Sequence, residues 1–224
     1  ELTSLKNRIS PHAKFIDWVY AIIETRNELT QSSIVHGIKE SIQELDENGT
    51  TLVGDISNTE LSVPLLRKSR LDGIVFLEHL GNKIKKRRCR KSKSEKRFLE
   101  RCACHAPHTV SLNVTKSIRR QNNRTSIHLC ESVEEVAWIK NRTGPFKDLL
   151  AQLALDPNPF LGKGLSPVEY LSKINFLNHN SLCVHAVHLL PIDLHILRKR
   201  KCHVAICIRS NLWSGAGITT VRRL

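Results

Sequence analysis

The sequence comprises 224 residues with a formal net charge of +14, and 40% of its residues are hydrophobic. This length allows one large domain or two small ones with a sizeable core, and the apolar fraction excludes an intrinsically disordered chain. The seven cysteines have no regular spacing, which excludes a disulfide framework or a zinc-ribbon knuckle and predicts reduced thiols.

Positive charge is concentrated in one window of the chain. Ten of the fifteen residues from Lys83 to Arg97 are Lys or Arg, and Glu95 is the single acid among them. Such a density attracts phosphate backbones or other anionic surfaces. Because no aromatic residues interleave with these charges, we favour a solvated helix face or loop over a nucleic-acid interface.

A membrane span is excluded by the composition of the uncharged segments. The longest of them, from Ile174 to Ile192, contains three asparagines, three histidines and a proline, which would be costly in lipid. The chain opens with Glu1-Leu2-Thr3, without an initiator methionine or an apolar leader. We therefore expect a fragment of a cytoplasmic protein.

Helix and strand patterns alternate along the chain. Apolar residues at helical spacing predict helices at 11–27, 32–46, 61–67, 113–121, 132–139, 167–173 and 193–199. Short apolar or β-branched runs predict strands at 50–56, 73–78, 102–109, 126–131, 181–185 and 202–207. Six strands that alternate with helices predict a parallel sheet, either doubly wound or closed into a barrel.

Titratable side chains stand at the ends of five of these strands. They are Asp55, Glu78, His105 with His108, His128 with Glu131, and His185 with His188. A neutral imidazole can bind a metal ion, and a nearby carboxylate can transfer a proton, although His-x-x-Glu alone is equally compatible with a structural role. Their recurrence at the same end of successive strands indicates a shared ligand or metal, because burying them singly would cost free energy.

Five segments of the chain resemble, in order, motifs of the metal-dependent amidohydrolase superfamily. The likeness is to its branch of cytosine deaminases, chlorohydrolases and aminodeoxyfutalosine deaminases. The segments are Gly49-Thr50-Thr51-Leu52-Val53-Gly54-Asp55, His105-Ala106-Pro107-His108-Thr109-Val110-Ser111, Ser126-Ile127-His128-Leu129-Cys130-Glu131-Ser132, Val184-His185-Ala186-Val187-His188-Leu189 and Arg209-Ser210-Asn211-Leu212.

The resemblance implies an incomplete TIM-type (β/α)8 barrel of the metallo-dependent hydrolase kind, with about six parallel strands. Residues 1–224 would be the central portion of a single barrel domain. Its first and last strands, with a His-x-His pair and an aspartate that serve this family as further metal ligands, would lie outside the chain. Ile206 and Ile208 also stand where the family commonly has His and Pro, which is compatible with a diverged copy.

The resemblance also implies a role for five residues. His128 would be a metal ligand, Glu131 would carry a proton from the hydrolytic water to the leaving group, and His185 would orient that water. His105 would contact the substrate, and Asn211 would shape the same end of the site. The metal would be one divalent ion, Zn²⁺ or alternatively Fe²⁺. We interpret the remaining histidines near the strands as structural: His108, His188 and His203.

Two functions follow as hypotheses. The first is the hydrolytic deamination, or dechlorination, of a small nitrogen heterocycle such as a nucleobase or nucleoside-like compound. The alternative is an inactive amidohydrolase remnant that acts as a binding module through the segment from Lys83 to Arg97. In the first hypothesis the partner is the small heterocyclic substrate, nucleic acid and membranes are not partners, and a homo-oligomer is left open.

Overall fold

A computed structural model of the protein describes residues 2–11, 14–83, 97–121, 123–155, 161 and 163–219. These residues divide into two compact units. The first contains residues 2–10, 20–78 and 97–102, and the second contains residues 11, 14–19, 79–83 and the described residues from 103 onward. Most of the basic segment from Lys83 to Arg97, at 84–96, lies outside the described residues, as do residues 156–160.

Helices and strands alternate along most of the described chain. The helices are α1 (Phe15–Asn27), α2 (Gln31–Glu47), α3 (Ser62–Leu66), α4 (Leu112–Arg120), α5 (Val133–Asn141), α6 (Phe146–Gln152), α7 (Pro167–Lys173), α8 (Pro191–Lys199) and α9 (Ile208–Trp213). The strands are β1 (Leu52–Ser57), β2 (Asp72–His79), β3 (Phe98–Cys104), β4 (Thr125–Leu129), β5 (Ser181–His185) and β6 (His203–Ala205). A short 3-10 helix at Leu2–Leu5 precedes α1.

The predicted elements are present, and β3 differs most from its predicted bounds. β3 begins at Phe98, four residues earlier than predicted, because the charged Glu100 is buried in an ion pair with Arg67 and interrupts the apolar pattern. β6 ends at Ala205 because Cys207 already serves as the N-cap of α9. α6 and α9, which are seven and six residues long, have no counterpart among the predicted helices.

The first unit is built around the parallel sheet β1-β2-β3. β1 pairs with β2 from Leu52 opposite Asp72 to Ser57 opposite Leu77. A Cβ atom at Gly73 would overlap the carbonyl oxygen of Val53, so only glycine allows the two strands to approach there. The core of this unit consists of buried apolar side chains: Val63, Leu66, Leu71, Val75, Leu77 and Phe98.

The second unit contains the parallel sheet β4-β5-β6, with β5 in the middle. Three of its helices, α4, α5 and α7, begin at serine N-caps. Of these serines, Ser166 forms a complete capping box with Glu169 before α7. In the register of this sheet Leu129 lies opposite His185. His128 and His185 therefore stand at the carboxyl ends of neighbouring parallel strands, where this class of sheet positions its functional groups.

Among the cysteines that the structure describes, one departs from the expectation. Cys104, Cys130, Cys183, Cys202 and Cys207 are free thiols, as predicted. Cys102, however, is disulfide-bonded, so the prediction of reduced thiols is wrong at this residue. The spacing of the cysteines gave no indication of this bond, because a pairing depends on tertiary distance and not on sequence separation.

None of the helices in the described ranges is long and apolar enough to cross a membrane.

Replacing Leu171 with alanine is expected to lower the free energy of unfolding by about 2–5 kcal/mol, because the side chain is fully buried and its loss leaves a cavity. Leu52→Ala is the matched control, since that leucine is 73% exposed and its truncation should change stability by less than about 0.5 kcal/mol. Urea unfolding followed by circular dichroism measures both. Equal losses in the two variants would contradict this account of the core.

Candidate active site

Three of the predicted site residues meet at the ends of β4 and β5. His128 Nδ1 lies 3.0 Å from His185 Nε2, and Glu131 Oε1 lies 3.4 Å from the same His185 nitrogen. One ligand atom from each of these residues falls within 4.8 Å of the others. The side chains of His185 and Glu131 are largely buried, so their interactions are screened less by water than those of surface groups.

The backbone bends sharply at both strand ends. Cys130 has a φ of 52°, and His185 and Ala186 follow each other at 76° and 52°, in the left-handed region that non-glycine residues rarely adopt. Hydrogen bonds from the next strand hold this shape: Ala186 N–H donates to the Leu129 carbonyl at 3.0 Å, and Val187 and His188 N–H both donate to the Cys130 carbonyl. Backbone strain held in this way clusters at functional sites.

Asn211 fixes the protonation of His185. The Asn211 side chain is fully buried, and its Oδ1 lies 2.7 Å from His185 Nδ1. Because an amide oxygen accepts, His185 Nδ1 carries the proton and donates this hydrogen bond. Burial, and then the charge of His128, lowers the pKa of His185 to about 4, while the Asn211 hydrogen bond acts in the opposite direction. His185 is thus neutral at pH 7, and its Nε2 presents a lone pair toward His128 and Glu131.

His105 lies beside His128. The centroids of their rings are 5.2 Å apart in an edge-to-face arrangement, and the His128 N–H donates to the His105 carbonyl at 2.8 Å. Thr109 Oγ1 is hydrogen-bonded to His105 Nδ1 at 2.7 Å and fixes the orientation of the imidazole. The structure thus brings all five predicted site residues together: His105, His128, Glu131, His185 and Asn211.

Glu135, which was not among the predicted site residues, lies under the turn that carries Glu131. Its carboxylate accepts the N–H groups of Cys130 and Glu131, each at 2.9 Å. Burial raises the pKa of Glu135 to about 8, although these two N–H groups act to lower it. The sequence pattern that contains Glu135 is Ser132-x-x-Glu135. This helix-capping pattern predicts a hydrogen bond at the start of the helix and no contact with the site.

The other histidines near the strands have packing roles or lie at the surface. His108 is buried with its ring 4.5 Å from that of Phe146, and its Nδ1 has no hydrogen-bond partner among the described residues. His188 Nε2 donates to the Ala216 carbonyl at 2.7 Å. His203 is exposed at the start of β6.

The donor atoms at the ends of β4 and β5 fit a divalent metal ion by their chemistry. Two imidazole nitrogens 3.0 Å apart cannot both direct lone pairs at each other, so the pair needs either a proton or a cation between them. Imidazole nitrogen and carboxylate oxygen are the ligands that catalytic zinc takes in proteins, usually three of them with a water molecule. His128, His185 and Glu131 supply three such atoms.

Replacing His108 with phenylalanine is expected to reduce the pH dependence of folding. Burial, and then the charges of His105 and His128, lowers the pKa of His108 from its ordinary value of 6.5 to about 3. The unfolded chain therefore takes up the proton first, so the stabilisation present above pH 6.5 is lost as the pH falls toward 3. Between about pH 6 and 4 the original protein should lose about 1.4 kcal/mol more per pH unit than the variant.

Urea unfolding at several pH values measures this difference. Phenylalanine preserves a ring against Phe146, so the comparison isolates the titration of His108. His203→Phe is the control, because it removes an exposed histidine of the same second unit. If the original protein and the His108 variant have parallel pH profiles, the buried neutral state of His108 is refuted.

A model of one known protein family, described as the amidohydrolase family, matches residues 4–224. Among curated relatives, the aminodeoxyfutalosine deaminase of Nitratiruptor sp. is 21% identical over 228 residues, which covers 95% of this chain and 55% of that protein. The chain thus spans about half the length of this relative.

Solved structures of deaminases have the same fold. The aminofutalosine deaminase of Helicobacter pylori superposes with a TM-score of 0.76 at 24% identity, over 96% of this chain and 55% of that one. An adenosine deaminase of Xanthomonas campestris with bound zinc has a TM-score of 0.77 at 17% identity, over 99% of this chain and 50% of that one. The predicted fold class, an incomplete TIM-type barrel of the metallo-dependent hydrolase kind with about six parallel strands, is confirmed.

Proposed function

The chain belongs to the amidohydrolase family, and from this premise we propose that it acts in the metal-dependent hydrolytic deamination of a small nitrogen heterocycle. The observation that carries the proposal is the meeting of His128, Glu131 and His185 at the ends of two neighbouring parallel strands. The names of the relatives, deaminases of aminodeoxyfutalosine and adenosine, support a nucleoside-like substrate and favour deamination over dechlorination.

His128 holds the metal in this proposal, with Zn²⁺ as the ion and Fe²⁺ as the alternative. When bound, the ion supplies a Lewis acid that makes water a better nucleophile at neutral pH. The zinc in the related Xanthomonas campestris structure supports this choice of metal. We propose that the remaining family ligands come from outside residues 1–224, which form the central portion of one barrel domain.

Glu131 moves the proton. It takes one proton from the attacking water as the C–O bond forms at the ring carbon, and it returns that proton to the amino group as the C–N bond breaks. Water and the amine are thereby converted into a carbonyl product and ammonia. The position of Glu131 Oε1, 3.4 Å from His185 Nε2, puts the carboxylate within reach of a water molecule held at the same nitrogen.

His185 orients the attacking water through its Nε2 lone pair, which can accept one of the water's O–H groups. Its neutral state at pH 7 suits this role, because a protonated imidazole has no acceptor. His105 contacts the heterocycle from the side of His128. Asn211 shapes the site through His185 and through its own Nδ2, a buried donor with no partner among the described residues.

The proposal also covers the binding partners and the cellular location of the protein. We propose a small heterocyclic substrate as the partner, with no nucleic acid and no membrane, and we leave a homo-oligomer open. A cytoplasmic location stays a prediction. The five free thiols support it and the disulfide at Cys102 opposes it.

The direct test is turnover by the zinc-loaded protein, extended by the segments that carry the remaining ligands. Adenosine and aminodeoxyfutalosine serve as amino substrates, and 6-chloropurine riboside serves as the chloro substrate. Ammonia or chloride release is measured with and without prior removal of metal by a chelator. Metal-dependent ammonia release is the expected result. Absence of any metal-dependent product would refute the proposal, and binding of a polyanion by the same inactive protein would favour the alternative of a remnant that binds through the segment from Lys83 to Arg97.

A further inference from the structure

A second carboxylate is buried directly beneath the turn that carries Glu131. Glu135 is 1% exposed, and both of its oxygens are used: Oε1 accepts the Cys130 N–H and Oε2 accepts the Glu131 N–H, each at 2.9 Å. A carboxyl group buried without such bonds would cost several kcal/mol. The two amides are therefore the reason that this side chain can be buried at the start of α5.

The geometry differs from ordinary helix capping, for which α7 of the same chain provides the reference. There Ser166 Oγ accepts the Glu169 N–H, and Glu169 Oε2 accepts the Ser166 N–H in return. In α5 Ser132 Oγ likewise accepts the Glu135 N–H at 3.1 Å. The Glu135 carboxylate, however, bonds the two residues before the cap. It serves the turn at the end of β4 instead of the first turn of the helix.

This turn links the two strands that carry the site. Cys130 has a left-handed φ of 52°, and its carbonyl accepts the N–H groups of Val187 and His188, which follow β5. Its own N–H and that of Glu131 are bound by Glu135 from below. The peptide groups next to Glu131 are thus held by two sets of hydrogen bonds. One set comes from the residues that follow β5, and the other comes from Glu135.

We infer that Glu135 is a positioning residue that holds the Glu131 carboxylate against His185 through the peptide N–H groups of Cys130 and Glu131. The inference rests on the proposed function for its catalytic consequence. Glutamine at position 135 keeps the shape of the side chain but directs an amide NH₂ at one of the two N–H donors, so one of the two hydrogen bonds is lost and two donors face each other.

The test compares Glu135→Gln with Glu169→Gln, which makes the same replacement in a helix cap that has no hydrogen bond to the site. Amide hydrogen exchange at Cys130 and Glu131, followed by NMR on the full chain, reports the positioning itself. Zinc affinity, from competition with a chromophoric chelator, and kcat and KM for the active substrate report its consequence. All values are normalised to the folded fraction at equal temperature.

Glu135→Gln is expected to exchange the Cys130 and Glu131 amides about tenfold faster, while Glu169→Gln leaves them unchanged. The kcat of Glu135→Gln should fall about 10–100-fold with KM nearly unchanged. The zinc affinity of this variant should also fall about 10–100-fold, as for other partners that orient site residues. Exchange rates and zinc affinities that match those of Glu169→Gln would overturn the inference. If the original protein has no turnover, the proposed function fails separately, and exchange and zinc affinity still decide the role of Glu135.

Discussion

Replacement of Glu131 with glutamine is expected to lower kcat for deamination by about 10²–10⁴-fold, because an amide cannot take a proton from water and return it to the leaving amine. Glutamine preserves the length of the side chain and the two hydrogen bonds that its peptide group and that of Cys130 make with Glu135. KM should change little, since the substrate is bound by other groups. Steady-state ammonia release from the zinc-loaded variant measures the effect.

Glu134→Gln is the matched control, since that carboxylate lies three residues further along, in α5, and forms no hydrogen bond to the turn among the described residues. Zinc content separates two roles for Glu131. A variant that keeps its zinc and loses kcat has lost a proton carrier, whereas one that loses both has lost a ligand. An unchanged kcat would remove Glu131 from the chemistry.

Replacement of His128 with alanine is expected to abolish stable zinc binding. The imidazole of this residue is the proposed ligand from β4, and its Nδ1 is within 3.0 Å of the next candidate donor, His185 Nε2. Catalytic zinc sites generally use three protein ligands, so losing one leaves too few to retain the ion against dialysis. Inductively coupled plasma mass spectrometry after dialysis, on the protein extended by the segments that carry the remaining ligands, should find about one zinc per chain and almost none in the His128 variant.

His203→Ala controls for the general loss of a histidine, because His203 is exposed at the start of β6. Its zinc content should equal that of the original protein. Equal zinc in the His128 variant would exclude His128 as a ligand. A circular dichroism spectrum of each variant confirms that the comparison is made between folded proteins.

The location of the site was predictable from the sequence because parallel strands end at the same edge of a sheet. Apolar runs defined β4 and β5 well, and β5 was predicted to the residue. Once these strands were adjacent, His128, Glu131 and His185 had to lie near one another. Their individual roles came from the family resemblance, since apolar periodicity carries no information about which nitrogen or oxygen faces the substrate.

Other features depend on tertiary contacts that leave no local pattern. Ser132-x-x-Glu135 predicts a capping box, and only the position of β4 directs the Glu135 carboxylate to the turn of Glu131. α9, which presents Asn211 to His185, escaped prediction because Ile208, Leu212 and Trp213 are each about half exposed. A helix without a buried apolar face gives no amphipathic pattern.

The successive left-handed residues His185 and Ala186 also set a limit on engineering this protein. Each such conformation costs about 1–3 kcal/mol, and here the cost is offset by the amides that cross to Leu129 and Cys130. Ala186→Gly would relieve the backbone strain at this position and should therefore raise the thermal stability of the protein. It would also loosen the orientation of the His185 imidazole, so the gain in stability at this bend should be accompanied by a loss of activity.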